Sequence, residues 1–339
     1  MRSPCAARTI SVPRTRGLAS ALTVLVIWTS FVLVARGSAT RKLTPWDIVW
    51  LRFTFSGLAV LPLLAWRGDA LREALARSSR GRVGTVLARG AMLTFTAGIG
   101  YCSLAYSGFF FAPAAHAAVL LAGSLPVWTA LAALLLLGER LTPLRAAALA
   151  LIALGDLLVG GASLLAAFDG GGAWRGDLLF LAASLCWAVY GVLCRRWRLG
   201  PLEATLTVAL GCLVCAVPLY ALAAAAGLAH SRLALASWGE IVFQATYQGG
   251  LAMLVAGLAY TQVVVTYGPV RTTMITSVVP VLAALAAVPL LDESLTPAAI
   301  GGLTCVTAGL LLGSGVVRPP RGAGWRDAAP AATAPGPQP

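Results

Sequence analysis

Ten long apolar runs constrain the fold of this chain more than any other feature. They cover residues 18–35, 46–66, 90–112, 114–137, 144–167, 177–194, 202–228, 241–265, 270–291 and 297–317. A helix needs about 20 apolar residues to cross a bilayer, and backbone polar groups in lipid must bond within their own segment. The runs predict an all-α integral membrane protein with ten transmembrane helices.

The composition excludes a water-soluble globular protein. The chain of 339 residues is 59% hydrophobic and 11% charged, whereas soluble domains are about 45–50% apolar and about 25% charged. Barrel strands would be about ten residues long and would alternate polar with apolar residues, which these runs do not. The first run follows a basic stretch as a signal peptide does, but it ends at Arg36 rather than at a cleavage site, so we expect it to be retained.

The net charge of +13 indicates the topology rather than a nucleic-acid partner. With both termini in the cytoplasm, 19 of the 25 Lys and Arg residues lie inside, five lie outside, and Arg52 lies within a span. Such an excess is the positive-inside pattern. We expect a multi-pass plasma-membrane protein, as in a bacterial inner membrane. Residues 1–17 form a basic cytoplasmic N-terminus, and residues 318–339, rich in Pro, Ala and Gly, are predicted to be a disordered cytoplasmic tail.

The chain contains an internal repeat. Residues 126–143 and 280–297 are identical at twelve of eighteen positions, and the same offset of 154 pairs Leu104-Ala105-Tyr106 with Leu258-Ala259-Tyr260. The repeat divides the spans into two units, 18–167 and 168–317. Because each unit has five spans, an odd number, the second must enter the membrane inverted. Inverted repeats with a site at their interface are typical of secondary transporters, although this link is an analogy of architecture.

The doubled pattern of Pro, an apolar run, Glu-Arg/Ser-Leu-Thr-Pro and a glycine-rich span resembles the EamA domain of the drug/metabolite transporter superfamily. Trp28, the Pro45…Leu51-Arg52-Phe53 stretch and Tyr247-Gln248-Gly249 support the resemblance. It implies ten helices in two inverted repeats, a central cavity, and movement of amino acids or small metabolites, often outward. Asp292, in place of a glycine, and Asp156, in place of an apolar residue, depart from the family pattern.

A substrate cavity needs polar or aromatic side chains that face inward. The candidates lie deep within the spans: Trp28, Tyr101, Tyr106, Trp128, Trp187, Tyr190, Tyr247, Gln248, Tyr260, Gln262 and Thr276. Residues three or four apart share a helix face, as Trp187 and Tyr190 do. A lining of aromatics and amides with few charges suits a small amphipathic or zwitterionic solute. Plain packing is the alternative for each of these residues.

Two prolines and two charged residues within the spans are further candidates. Pro126 and Pro280 each remove a backbone hydrogen bond and predict a kink, which suits gating or a simple packing bend. Intramembrane charges are costly and functional by default. Arg52 could attract an anionic substrate or anchor its helix at the interface. Asp156 could carry a coupling proton, pair with Arg52, or serve a structural role.

Several other residues have structural interpretations. Glu139 and Glu293 are predicted to form a hinge near the positive end of the next helix, where Thr142-Pro143 and Thr296-Pro297 are helix starts. His116 is expected to be a hydrogen-bonded interface residue. The ladders Gly301-Gly302…Gly309…Gly313 and Gly249-Gly250…Gly257 are typical of helix packing or of a homodimer face.

No metal, cofactor or nucleic acid is expected, and Cys212-x-x-Cys215 is interpreted as packing. The expected partners are a small-molecule substrate and the lipid bilayer. The rival classes are an intramembrane hydrolase and a non-transporting scaffold. Aspartyl hydrolases need two carboxylates at one site, and Asp156 has no clear intramembrane partner.

Overall fold

A computed structural model of the protein describes residues 14–79, 83–267 and 269–313. All regular structure in these residues is helical. The helices are α1 Arg14–Gly37, α2 Pro45–Ser79, α3 Val83–Phe111, α4 Ala114–Leu137, α5 Pro143–Ala167, α6 Ala173–Trp197, α7 Leu202–Ala225, α8 Trp238–Tyr267, α9 Pro269–Thr276, α10 Val279–Leu291 and α11 Pro297–Gly313. Residues 1–13 and the predicted tail 318–339 lie outside the described ranges.

The helical class and the multi-pass character predicted from the sequence are confirmed. Within the described ranges, seven helices are long and apolar enough to cross a membrane: α1 and α3 to α8. Helix α2 contains the apolar run 46–66, and α10 and α11 are shorter apolar helices. Ten crossings stay a prediction.

The run 270–291, predicted as one span with a kink at Pro280, is divided between two helices. Helix α9 ends at Thr276, and α10 begins at Val279 with Pro280 in its first turn. Helix α4 has a similar interruption at Ser124, directly before the segment that carries Pro126 in its first turn. A proline has no N–H to donate and favours the first turn of a helix, and each new segment has a proline as its second residue.

Helices α4 and α10 end in the same way. Gly138 (φ 69°) and Asp292 (φ 52°) both adopt the left-handed conformation. The next N–H then bonds back to the last turn, from Glu139 to Ala133 O and from Glu293 to Ala287 O. A left-handed residue followed by such bonds is a common helix terminus. It fixes the backbone of both glutamates relative to their helices.

The helices that follow begin with caps that the Thr-Pro pairs predict. The Thr142 side chain accepts a hydrogen bond from the Arg145 N–H at the start of α5. The Thr296 hydroxyl accepts one from the Ala299 N–H at the start of α11.

The packing of the helices repeats when the first half is exchanged for the second. Helix α1 packs against α8 and α10, and α6 packs against the corresponding α3 and α4. Likewise α2 packs against α8, and α7 against α3. Helices α5 and α11, which end the two halves, have the most extensive contact with each other. The largest fully buried side chains, among them Tyr106, Phe109 and Phe180, lie in the core between the halves.

Glycines bring α5 and α11 into close contact. A Cβ on Gly302 would lie 2.9 Å from Gly155 O, and one on Gly309 would lie 2.8 Å from Ala148 O. Contacts this short show that the two backbones nearly touch, as small residues permit. These glycines of the ladder are therefore used in packing within the chain.

Candidate functional site

Arg52 occupies the centre of a buried polar cluster. Its side chain on α2 is 9% exposed, and its Nη1 donates to Tyr106 Oη at 3.3 Å and to the Gln248 carbonyl oxygen at 3.0 Å. The Phe31 ring lies 6.0 Å from the guanidinium carbon. The Nε has no hydrogen-bond partner, and the ion pairs of the described residues do not include Arg52. The arginine thus keeps its positive charge among neutral partners.

A chain of hydrogen bonds leads from Arg52 toward the end of α1. Tyr106 Oη donates to Gln248 Oε1 at 2.6 Å, Gln248 Nε2 donates to Gln244 Oε1 at 3.2 Å, and Gln244 Nε2 donates to Ser38 Oγ at 2.8 Å. All four of these side chains are buried. Ser38 and Gln244 also line a cavity of about 540 Å³ between α1, α8 and α10. The cluster is therefore linked to a cavity at one end of the helices.

A π-helical segment explains why Gln248 can bond to Arg52 through its backbone. Helix α8 is π-helical from Ala245 to Val255, and π turns shift carbonyls out of the α-helical register. The Gln248 carbonyl can then accept from Arg52. Corresponding π-helical turns occur in α3 from Thr94 to Gly100.

Aromatic contacts join the halves in two related places. Trp28 of α1 stacks on Tyr260 of α8 with ring centroids 5.3 Å apart. Trp187 of α6 contacts Tyr101 of α3 at 4.8 Å and Tyr190 at 5.2 Å. Trp28 and Trp187, each on the first helix of its half, thus meet a tyrosine on the third helix of the other half. Five of the predicted lining residues are brought together in this way.

The four remaining predicted residues are Tyr247, Gln262, Thr276 and Trp128. Tyr247 Oη shares a 2.6 Å hydrogen bond with Ser30 Oγ, and Gln262 Nε2 donates to Thr266 Oγ1 on its own helix. The Thr276 hydroxyl donates to Thr272 O, and Trp128 Nε1 is buried without a partner. The eleven predicted lining residues are absent from the walls of the 540 Å³ cavity and of a second cavity of about 680 Å³.

Asp156 does not pair with Arg52, which corrects one of the alternatives left open by the sequence. Asp156 lies on α5, and its Oδ1 is buried without a hydrogen-bond partner. Arg52 bonds instead to α3 and α8. Similar depth in the membrane did not imply contact, because α5 packs chiefly against α11.

His116 is hydrogen-bonded, with a partner that the sequence reasoning missed. Its Nδ1 lies 2.8 Å from Asp177 Oδ1 and 3.5 Å from Ser163 Oγ. A hydrolytic Ser-His-Asp relay needs serine and aspartate on opposite ring nitrogens, whereas here both contact Nδ1. The signal in the sequence that could have indicated such a partner was His116 itself, because a polar ring at that depth needs a hydrogen-bond partner.

Glu139 and Glu293 form ion pairs that the sequence reasoning did not predict, and their role as a hinge stays a prediction. Arg36 Nε donates to Glu293 Oε1 at 2.6 Å, and Arg195 Nη2 donates to Glu139 Oε1. Glu293 Oε2 also accepts from the Ala114 N–H at the start of α4. The sequence reasoning missed both arginines as partners of the glutamates. A further missed carboxylate, Asp47, accepts bonds from Thr44, Tyr220, Ser231 and the Arg232 N–H.

The fold and these clusters define a helical membrane protein whose halves are related. The sequence model of the EamA-like transporter family matches residues 15–161 and again residues 174–315. The chain belongs to the EamA-like transporter family, which confirms the resemblance drawn from the doubled motif.

A solved structure titled "Crystal structure of protein" is similar over 89% of this chain and 96% of its own, with 22% identity and a TM-score of 0.53. At this identity the similarity concerns the fold alone. No curated protein matches the chain in sequence.

Proposed function

We propose that the protein is a secondary carrier that moves small solutes across the membrane by alternating access. The observation that carries this proposal is the match of two successive segments of the chain to one transporter family. The exchange-symmetric packing of the two halves supports it. Two related halves that build one path between them are the usual architecture of such carriers.

The proposed architecture has ten crossings in two inverted units, residues 18–167 and 168–317. Helix α2 supplies the second crossing, α9 with α10 the ninth, and α11 the tenth. The interruptions before Pro126 and Pro280 fall at equivalent places in the two units. Interrupted helices near the midplane commonly border transport paths, because their ends can shift without breaking a continuous backbone ladder.

The surroundings of Arg52 support the proposal that the transported solute carries a carboxylate. A buried guanidinium without a counter-charge is costly, and its unused Nε–H can donate to an anion. The aromatic pairs Trp28–Tyr260 and Trp187–Tyr101 offer apolar surface for the rest of the solute. Amino acids and similar small metabolites combine these features. Export from the cytoplasm, with both termini inside, is the direction that the family resemblance favours.

Resistance to toxic amino-acid analogues tests the substrate class. A strain that lacks related exporters should gain resistance when it expresses the chain. The Arg52→Lys variant should lose that resistance, because lysine cannot reproduce the planar fork of the guanidinium. Equal resistance with Arg52→Lys would contradict the role of Arg52. No resistance to any analogue would contradict amino-acid export.

Reconstituted vesicles test the mechanism. Transport of an analogue identified in this way should proceed without ATP and follow the solute gradient. Strict dependence on added ATP would exclude a secondary carrier. Hydrolysis of the analogue in place of its transfer would favour an intramembrane hydrolase, and neither activity would favour a scaffold.

A further inference from the structure

The two ion pairs occupy equivalent positions in the two halves. The offset of 154 residues that aligns the repeats pairs Glu139 with Glu293. The offset of 159 that pairs Trp28 with Trp187 also pairs Arg36 with Arg195. In each pair the arginine lies in the last turn of the first helix of one half, and the glutamate follows the fourth helix of the other half.

The pairs lie at opposite ends of the helices. Glu293 accepts from the N–H of Ala114, the first residue of α4, whereas Glu139 follows Leu137, the last residue of α4. Helix α4 has 24 residues, and at 1.5 Å per residue it is about 36 Å long. This length is close to the thickness of a bilayer, so the two pairs are placed at its two surfaces.

Sequence neighbours of each pair line one of the two cavities. Gly37, which is next to Arg36, and Leu291, which is near Glu293, line the 540 Å³ cavity. Leu136 and Arg196, near Glu139 and next to Arg195, line the 680 Å³ cavity. The linings also correspond by sequence, since Leu136 and Leu290 are 154 residues apart, and Val34 and Leu193 are 159 apart.

The two ion pairs differ in how far their side chains are exposed. The side chains of Arg36 and Glu293 are 27% and 13% exposed, and those of Arg195 and Glu139 are 52% and 36% exposed. Arg36 Nη1 also donates to Phe109 O at 2.7 Å. Together with the hydrogen bond from the Ala114 N–H to Glu293, the Arg36–Glu293 pair links α1, α3, α4 and α10. Water competes less for a partly buried pair with extra hydrogen bonds than for an exposed one.

We propose that the Arg36–Glu293 pair is the outer gate of the transport path and the Arg195–Glu139 pair its inner gate. Each pair breaks when its own side opens and forms again when that side closes. This inference rests on the proposed alternating access and topology. Under this proposal the four residues of the two ion pairs control which side of the path is open, and the substrate need not touch them. In the state described by the structure, the outer gate is the more firmly closed.

Cysteine labelling tests the gates without a known substrate. Val34→Cys and Leu193→Cys are matched reporters, because both lie two residues before the arginine and line the two cavities. They would be placed singly in a variant whose seven cysteines are replaced by alanine. A membrane-impermeant maleimide is applied to intact cells for Val34→Cys and to inside-out vesicles for Leu193→Cys.

Neutralising one gate should open its side and close the other. Glu293→Gln should raise the labelling rate of Val34→Cys about fivefold and lower that of Leu193→Cys, because the two open states compete. Glu139→Gln should do the reverse with a smaller change. The exchange variant Arg36→Glu/Glu293→Arg should return both rates toward those of the unmodified pair. Asp169→Asn, in an exposed loop, is the control and should leave both rates unchanged.

Unchanged labelling in the Gln variants, or a rise at both reporters at once, would overturn the proposal. If Glu293→Gln does not fold, the Glu139→Gln variant tests the proposal instead. Its exposed ion pair contributes little to stability, so this variant should fold. Unchanged labelling in Glu139→Gln would also overturn the proposal. The outcome is separable from the proposed function. Reciprocal labelling without transport of amino acids would keep the gates and reject the substrate, whereas transport with unresponsive reporters would reject the gates alone.

Discussion

At the scale of single residues, Tyr106 satisfies two buried groups at once. Its hydroxyl accepts from Arg52 and donates to Gln248, and its side chain is fully buried. Tyr106→Phe would leave both partners without this bond in an apolar interior. A lost bond of this kind costs about 1–3 kcal/mol. We expect a corresponding loss in the free energy of unfolding, measured as a lower midpoint of thermal unfolding in detergent.

Tyr101→Phe is the matched control for that variant. The Tyr101 ring contacts Trp187, and the hydrogen bonds of the described residues do not include its hydroxyl. Removing this hydroxyl should leave the unfolding midpoint nearly unchanged. Equal midpoints for both variants would show that the Arg52 cluster contributes no stability.

Asp292 is a second residue with a distinct local role. It adopts φ 52° at the place where the first half has Gly138 at φ 69°. The left-handed conformation destabilises a residue that has a Cβ by roughly 1 kcal/mol, and it destabilises Asp less than most residues. Asp292→Gly should therefore raise the free energy of unfolding by up to about 1 kcal/mol.

Gly138→Asp is the reciprocal change and should destabilise by a similar amount. A Cβ at position 138 meets nothing within 4 Å, so the change tests the backbone alone. Chemical unfolding in detergent would measure both variants. Destabilisation by Asp292→Gly would show that the aspartate side chain, rather than its strained backbone, dominates.

The sequence identified Arg52 as a costly intramembrane charge but not its partners. Its bonds depend on how α2, α3 and α8 pack, and on the shifted carbonyl of Gln248 in a π-helical turn. Neither is encoded by the spacing of residues along one helix. By contrast, the sharing of a face by Gln244 and Gln248 follows from helical periodicity alone, and the structure has them hydrogen-bonded.

At the scale of helices, the contact between α5 and α11 depends on glycine. A Cβ on Gly302 would lie 2.5 Å from Val159 Cγ2 and 2.9 Å from Gly155 O. Because one of these atoms belongs to the backbone, the helices themselves must separate. Gly302→Ala should cost about 1–3 kcal/mol of stability, as overpacking does. The midpoint of thermal unfolding in detergent measures the loss.

Gly301→Ala is the control, because its added Cβ would meet Leu158 Cδ1 at an ordinary 3.5 Å. It should be neutral or nearly so. The pair of variants also separates the two interpretations of the glycine ladder. If Gly302→Ala changed the oligomeric state in detergent and left the unfolding midpoint intact, the ladder would be a dimer face rather than a packing face within the chain.

The positions of the helices follow closely from the apolar runs, but their interruptions do not. The run 114–137 agrees with α4, because Pro113 and Gly138 bound it. The proline at 280 predicted a bend in the ninth run, but not the separation into α9 and α10 at Ser277 and Val278. The π-helical turns likewise have no signal in hydropathy.

At the scale of the whole molecule, the repeat carries the strongest information in the sequence. Twelve identities in eighteen positions predicted that the halves have one fold, and the exchange-symmetric packing agrees with this. The pairing of Arg36 with Glu293 could not be predicted by the same route. It joins the first helix of one half to the fourth of the other, and the repeat alone does not specify which ends meet.

The orientation in the membrane is the last property that the charges predict. Leu141, exposed in the loop before α5, and Asp169, exposed in the loop after it, are separated by the 25 residues of Pro143–Ala167. A helix of this length is about 37 Å long and is long enough to cross a bilayer. The excess of arginine on the Leu141 side predicts that this loop lies in the cytoplasm. In the cysteine-free variant, Asp169→Cys should react with an impermeant maleimide in intact cells, and Leu141→Cys only after the membrane is permeabilised. The reverse pattern would overturn the orientation, and reaction of both in intact cells would show that α5 does not cross the membrane.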